Sequence, residues 1–159
     1  SLLALGLLTG CAPDPAEKCP LDAAAWSDAT GREGGRLTYN ELGDTPDCGY
    51  RLGEDDEEQF GVYWKPTRPF AEEVSYLNAD DVIALDERYP DRIRSVGGFG
   101  NLFHVSYLLN VDGIGVHVTY SGPAAVPVSP GSTKVRAAFE ILDAVIEAAE
   151  ANNWKGVRP

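Results

Sequence analysis

Two histidines, His104 and His117, are the first candidates for metal binding or general-base work. Both fall on strands if Asp112-Gly113 makes a two-residue hairpin turn, and that register sets His117 opposite Leu108, four residues from His104. At about 3.3 Å per residue the two rings lie about 13 Å apart, too far to share one metal ion, so two separate solvent-facing strand histidines are expected. Ser106 and Ser121 neighbour His104 in this register, but the sequence holds no GxSxG elbow to present a serine nucleophile. The acidic run Glu54-Asp55-Asp56-Glu57-Glu58 lacks the alternating oxygen ligands and central glycine of an EF-hand loop and reads as a solvated hairpin tip. With 25 Asp and Glu in the chain, nothing selects the two that a glycosidase needs. Gly97-Gly98-Phe99-Gly100 matches neither phosphate-binding glycine pattern. Arg88, Arg92 and Arg94 concentrate positive charge and are the candidate contacts for an anion or a partner, pairing with the chain's own carboxylates being their more ordinary use. The expectation is therefore no catalytic residue, no cofactor and no metal site.

The three cysteines divide by position. Leu2, Leu3, Ala4, Leu5, Leu7 and Leu8 form an uncharged apolar run, and the composition changes at Cys11 to a segment with Pro13, Asp14, Pro15, Glu17 and Lys18. A run of about eight residues rises only about 12 Å as a helix, whereas a bilayer span needs about 20 residues, so it reads as the core of a secretory signal. Leu8-Thr9-Gly10-Cys11 resembles the bacterial lipobox. That resemblance implies a signal segment over residues 1–10, a lipid on the Cys11 thiol, and anchoring to the bacterial cell membrane from the extracytoplasmic side. Residues 11–18 then form the lipidated cysteine and a proline-containing tether, and residues 19–159 a single domain. Cys19 and Cys48 remain as an even pair, and an oxidising exterior predicts one disulfide between them. Neither CxxC spacing nor further ligands point to a metal or redox site.

The elements that must position these groups follow from pattern. Pro20 to Ala29 reads as a short helix stopped by Gly31, Arg36 to Glu41 and Gly49 to Leu52 as strands, and Phe60, Val62 and Trp64 as an alternating third strand. Phe70, Val74 and Leu77 have helical spacing from Arg68 onward, and Asp80 caps further helical turns carrying Val82, Leu85 and Tyr89. Arg92 to Val96 is a short strand. Around Asp112-Gly113, Val111, Leu109, Tyr107 and Val105 face Ile114, Val116, Val118 and Tyr120 on one side of a hairpin, leaving His104, Ser106, Leu108, Asn110, Gly115, His117, Thr119 and Ser121 on a wetter side. A final helix starts near Ser132 or Thr133 and buries Val135, Ala138, Phe139, Leu142, Val145, Ile146 and Ala149. The sum is a single α+β domain, an antiparallel β-sheet covered on one face by helices that include a long C-terminal one.

With 159 residues the chain is about one domain, and 43% hydrophobic and 24% charged residues exclude collagen-like and wholly disordered classes. A net charge of -12 repels phosphate backbones and argues against nucleic-acid binding. The lipobox, Cys19-Pro20-Leu21 opening a short helix, Ala29-Thr30-Gly31 closing it, Cys48-Gly49-Tyr50-Arg51 in a strand, and Val96-Gly97-Gly98-Phe99-Gly100-Asn101 before the hairpin form one arrangement. It resembles small actinobacterial lipoproteins of unknown function, whose fold is similar to the extracellular sensor domain of mycobacterial serine/threonine kinases. The resemblance implies an exported α+β domain without catalytic residues. The expected role is a non-catalytic domain of the cell envelope that binds a small ligand, an envelope component or a protein; the alternative is an envelope hydrolase.

Overall fold

A computed structural model describes residues 13–77, 82–83, 91–99, 101–124 and 129–158. In chain order it contains α1 (Pro15–Lys18), α2 (Ala23–Thr30), β1 (Arg36–Leu42), β2 (Thr45–Leu52), β3 (Glu58–Pro69), α3 (Phe70–Ser75), β4 (Val82–Ile83), β5 (Arg92–Phe99), β6 (Leu102–Val111), β7 (Ile114–Pro123) and α4 (Thr133–Ala151). The β6–β7 hairpin turns at Asp112 and Gly113, with φ of 52° and 87°, the two left-handed positions that a type I′ turn requires. Its register is the one the alternation predicts, from Val111 against Ile114 to Val105 against Tyr120. The seven strands form one antiparallel sheet in the order β1-β2-β3-β7-β6-β5-β4. The single α+β domain expected from the sequence is thus the fold.

One face of this sheet carries Cys48, Tyr50, Phe60, Val62, Trp64, Phe103, Val105, Tyr107, Leu109, Val116, Val118 and Tyr120, and α2 and α4 cover it. Every residue of the expected α4 stripe is buried, from Val135 to Ala149, and Ser132 caps the helix by accepting from the Val135 amide at 3.3 Å. Trp26 of α2 stacks on Tyr50 with ring centroids 5.9 Å apart, and Phe139 of α4 meets Tyr107 edge-on at 5.1 Å. The Cys19–Cys48 disulfide, with Cα atoms 5.7 Å apart, ties the segment before α2 to β2.

Several boundaries differ from the pattern-based expectation. Helix α2 begins at Ala23, because Asp22 accepts from the Ala25 amide at 2.8 Å and acts as N-cap; Pro20 lies before it. Strand β2 starts at Thr45 and includes Pro46, which faces only Glu41 of β1, since pairing to β3 begins at Asp47; its missing N–H therefore breaks no bond to β3. Strand β3 continues to Pro69, so α3 starts at Phe70 rather than Arg68. Val82 and Ile83 pair with Ser95 and Arg94 as a strand, where helical spacing had suggested helix; the rest of that expected helix, with Arg88, lies outside the described residues. So do residues 1–12, with the apolar run and Cys11. Among the described residues no helix is long and apolar enough to cross a membrane.

Candidate functional site

Among the described residues no long helix lies over the second face of the sheet, and the register arranges its side chains into three rows that cross the strands. The middle row is Thr38, Gly49, Gly61, Thr119, Ser106 and Ser95, all small. One flanking row is Asn40, Asp47, Tyr63, His117, Leu108 and Ile93; the other is Arg36, Arg51, Gln59, Ser121, His104 and Gly97. Small residues between two rows of large ones make a groove. Over β2, β3 and β7 it holds a cavity of about 190 Å³ lined by Asp47, Gly49, Arg51, Gln59, Phe60, Gly61, Tyr63, Thr119 and Ser121. Gly49 and Gly61, paired across β2 and β3, leave room for neighbouring side chains: a Cβ on Gly61 would come within 3.0 Å of the Thr119 hydroxyl, and one on Gly49 within 2.7 Å of the Thr38 hydroxyl and 3.5 Å of Arg51 Nε, so Arg51 lies over Gly49.

Helix α3 closes one end of this face. Its Glu73 is buried against Gly115, where an added Cβ would meet the Glu73 side chain at 2.5 Å. Glu73 accepts from Arg68 Nη1 at 2.9 Å and from His117 Nε2 at 3.0 Å, which fixes the proton of His117 on Nε2. The wetter side of the hairpin is consequently drier at this end than the alternation suggested: Ser106, Leu108 and His117 are all buried. Burial holds His117 below its ordinary pKa, outweighing the pull of Glu73, and holds His104 low as well. Burial alone would raise the Glu73 carboxyl; the hydrogen bonds from His117 and Arg68 bring it below the usual carboxylate range. His117 stacks on the Tyr63 ring at 4.4 Å with only 7° between the planes, and burial, with the charges of Glu73 and Asp47, pushes the Tyr63 hydroxyl up to about 12.

Asp47 stands beside Tyr63, on the cavity wall. Burial raises its pKa, against the opposing pull of Arg51, and among the described residues no N–H or O–H donates to its carboxylate. At the opposite wall Arg51 and Arg36 share a single carboxylate, Asp56, at 3.3 and 3.0 Å.

The histidines stand apart as the register predicted, each with its own partner. His104 Nδ1 lies 2.7 Å from Ser121 Oγ, its direct cross-strand neighbour. Among the described residues no carboxylate orients the other nitrogen of His104, and Ser121 lies mid-sheet rather than at a strand-to-helix elbow. The acidic hairpin tip serves as an internal acceptor as well as a solvated surface: Arg32 donates to Glu58 at 2.8 Å, Tyr120 donates to the same carboxylate at 3.0 Å, and Asp56 holds Arg36 and Arg51. Of the three predicted arginines, Arg92 lies 3.8 Å from Asp143 and 3.5 Å from Glu150 of α4. Arg94 donates to the Tyr107 hydroxyl at 3.1 Å and lies over the rings of Tyr107 and Phe139. Both sit at the junction of β5 and α4, on the helix-covered side, away from the groove.

A second cavity, of about 270 Å³, lies where α4 begins over the end of the sheet, among Arg32, Glu58, Phe103, Tyr120, Lys134 and Ile141. Its charges are consumed locally, Arg32 by Glu58 and Lys134 by the Pro123 carbonyl and the Phe103 ring. Among the described residues no three His, Cys, Asp or Glu side chains converge as a metal site.

The groove residues Asp47, Gly49, Arg51, Gln59, Gly61 and Thr119 are not among the candidates read from the sequence. A signal for them was present, since glycines inside strand patterns mark places where something approaches the backbone closely. Compared with family models, with curated proteins and with solved structures, the chain matches none.

Proposed function

We propose that this protein is a non-catalytic binding domain of the cell envelope, held at the membrane by a lipid on Cys11, with the groove on the open sheet face as its ligand site. The observation that carries this reading is the groove itself: a row of small residues between a half-buried carboxylate without a donor on one wall and an arginine, Arg51, on the other. A half-buried carboxylate without an internal donor favours a ligand that supplies one. The Cys19–Cys48 disulfide supports an oxidising location, and the lipobox-like Leu8-Thr9-Gly10-Cys11 supports the anchor. The likeness to actinobacterial lipoproteins and kinase sensor domains, carried by the motifs around Cys19, Cys48 and Gly97, belongs to the same reading.

The test is expression of the full chain behind a complete leader in a bacterial host fed an alkyne fatty acid. Label on the protein and recovery in the membrane fraction, both lost in Cys11→Ala, are expected; an unlabelled, freely released wild-type protein would contradict the anchor. Native mass spectrometry of the same material is expected to show a retained small molecule that groove variants lose.

A second reading, an envelope hydrolase, is favoured by the 2.7 Å contact between His104 and Ser121. It predicts covalent capture of a fluorophosphonate probe, abolished in Ser121→Ala. The binding reading predicts no capture by either protein.

A further inference from the structure

We infer that the outer edge of β1 pairs with the β1 edge of a second copy of this chain, antiparallel about a two-fold axis at Tyr39, joining two sheets into one. This surface stands apart from the groove and does not depend on it. Strand β1 is the last on its side of the sheet, and its seven residues pair with β2 from Arg36 to Leu42 without a break in register. Alternate residues of such a strand turn their N–H and C=O groups away from the sheet. Among the described residues nothing outside the sheet bonds to the β1 main chain: the Cys19 sulfur, 4.0 Å from the Thr38 carbonyl, is in the disulfide and has no proton to donate. That sulfur is joined to Cys48 on the helix-covered face, so the N-terminal segment meets β1 from that face. Of the devices that blunt a sheet edge, β1 has neither proline nor bulge, whereas β4 at the opposite edge is two residues long among the described residues. Its two charges, Arg36 and Glu41, are of opposite sign.

An open edge selects an extended main chain, and the side chains of β1 select a second β1. A two-fold axis normal to the sheet must pass through a residue if opposed side chains are to share a face. With Tyr39 on the axis all seven residues pair: Arg36 opposes Leu42, Leu37 opposes Glu41, Thr38 opposes Asn40, and Tyr39 opposes its own copy. No like charges meet, two aromatic rings stand together at the centre, and a hydroxyl lies beside an amide. Leu42, 75% exposed and the barest large hydrophobic side chain among the described residues, gains the methylene stem of the arginine opposite. An axis at Thr38 leaves Glu41 and Leu42 unpaired, and one at Asn40 leaves Arg36 and Leu37 unpaired. A seven-residue strand pair is about 23 Å long and makes a small interface, so association in the micromolar range is expected. Each copy carries a net charge of -12, and salt that screens this repulsion strengthens the pair.

The test is sedimentation velocity of the full, disulfide-linked chain between about 1 and about 500 μM, in about 30 and about 300 mM sodium chloride. A monomer–dimer equilibrium is expected, several-fold tighter at the higher salt. Leu42→Lys, which opposes two cations, is expected to weaken it at least about tenfold, because the symmetry counts each change twice. Leu42→Glu, which meets Arg36 with the opposite charge, is expected to dimerise more tightly than Leu42→Lys. Since Leu42 is exposed, neither change disturbs the fold of the monomer. Amide NMR shifts on dilution of the wild-type chain should centre on Arg36–Leu42. A monomer at every concentration overturns the proposal. So does a dimer that Leu42→Lys leaves intact, which belongs to another surface, the apolar run of residues 2–8 included, and so do dilution shifts that spare β1.

Discussion

Glu73 and His117 are the residues at which burial, charge and position meet most closely. Their pair joins α3 to the middle of the sheet, and the titration of its members has a defined sign. Both histidines are held below their ordinary pKa of 6.5 by burial. As pH falls through about 6.5 the unfolded chain takes up protons that the folded chain refuses, so stability declines until the lower folded-state pKa values are reached. Glu73 acts later: its folded pKa is depressed below 4.5, so its contribution is complete above that pH and disappears as pH falls through the folded value. Thermal denaturation followed by circular dichroism from about pH 8 to about pH 3 should therefore show two successive losses of Tm. The double variant His104→Gln/His117→Gln should flatten the first stage; a wild-type Tm unchanged between about pH 7 and about pH 5 would contradict histidines buried in the neutral form. Glu73→Ala, which removes the acceptor of His117 Nε2 and the nearer of the two carboxylates beside Arg68, should cost about 1–3 kcal/mol in urea denaturation at neutral pH.

At the scale of elements, the two ends of the described chain are locked together at one corner. Asn152 donates to the Pro20 carbonyl and Lys155 to the Ala16 carbonyl at 2.7 Å, both at the end of α4. Gly156 lies beside them with φ of 80°, and a Cβ there would run into the Lys18 carbonyl. Gly156→Ala should destabilise by about 1–3 kcal/mol, from a strained left-handed backbone and a clash with main chain that has little room to yield. A variant of wild-type stability would show that the corner is open. The disulfide acts on the same region: for a separation of 29 residues, Cys19→Ser/Cys48→Ser should lower the unfolding free energy by about 3–4 kcal/mol in urea. What could be read in advance followed local rules. Asp112-Gly113 set the β6–β7 register, the stripe from Val135 to Ala149 set the buried side of α4, and parity paired Cys19 with Cys48. What could not be read depended on distant partners. Val82 and Ile83 become a strand only because β5 offers an edge, and Glu73 is buried only because Gly115 leaves space for it. The groove needed β3 to sit beside β7, a pairing such as Gly61 with Thr119 that no local pattern announces.

For the whole molecule, the division of the sheet into two faces governs the functional reading. Helices α2 and α4 occupy one face, and the corner formed by Ala16, Pro20, Asn152 and Lys155 belongs to that side. With a net charge of -12 the surface repels polyanions, and the groove is a local exception that presents both signs. Ligand binding on the groove face is the property on which the proposed function stands. Amide NMR titration of the full, disulfide-linked chain with a soluble extract of bacterial envelope fragments tests it. Shifts concentrated on β2, β3 and β7 around Asp47, Gly49, Gly61 and Thr119, and absent in Asp47→Asn, are the predicted result. Shifts confined to the helix-covered side, or a spectrum that does not respond, would contradict it.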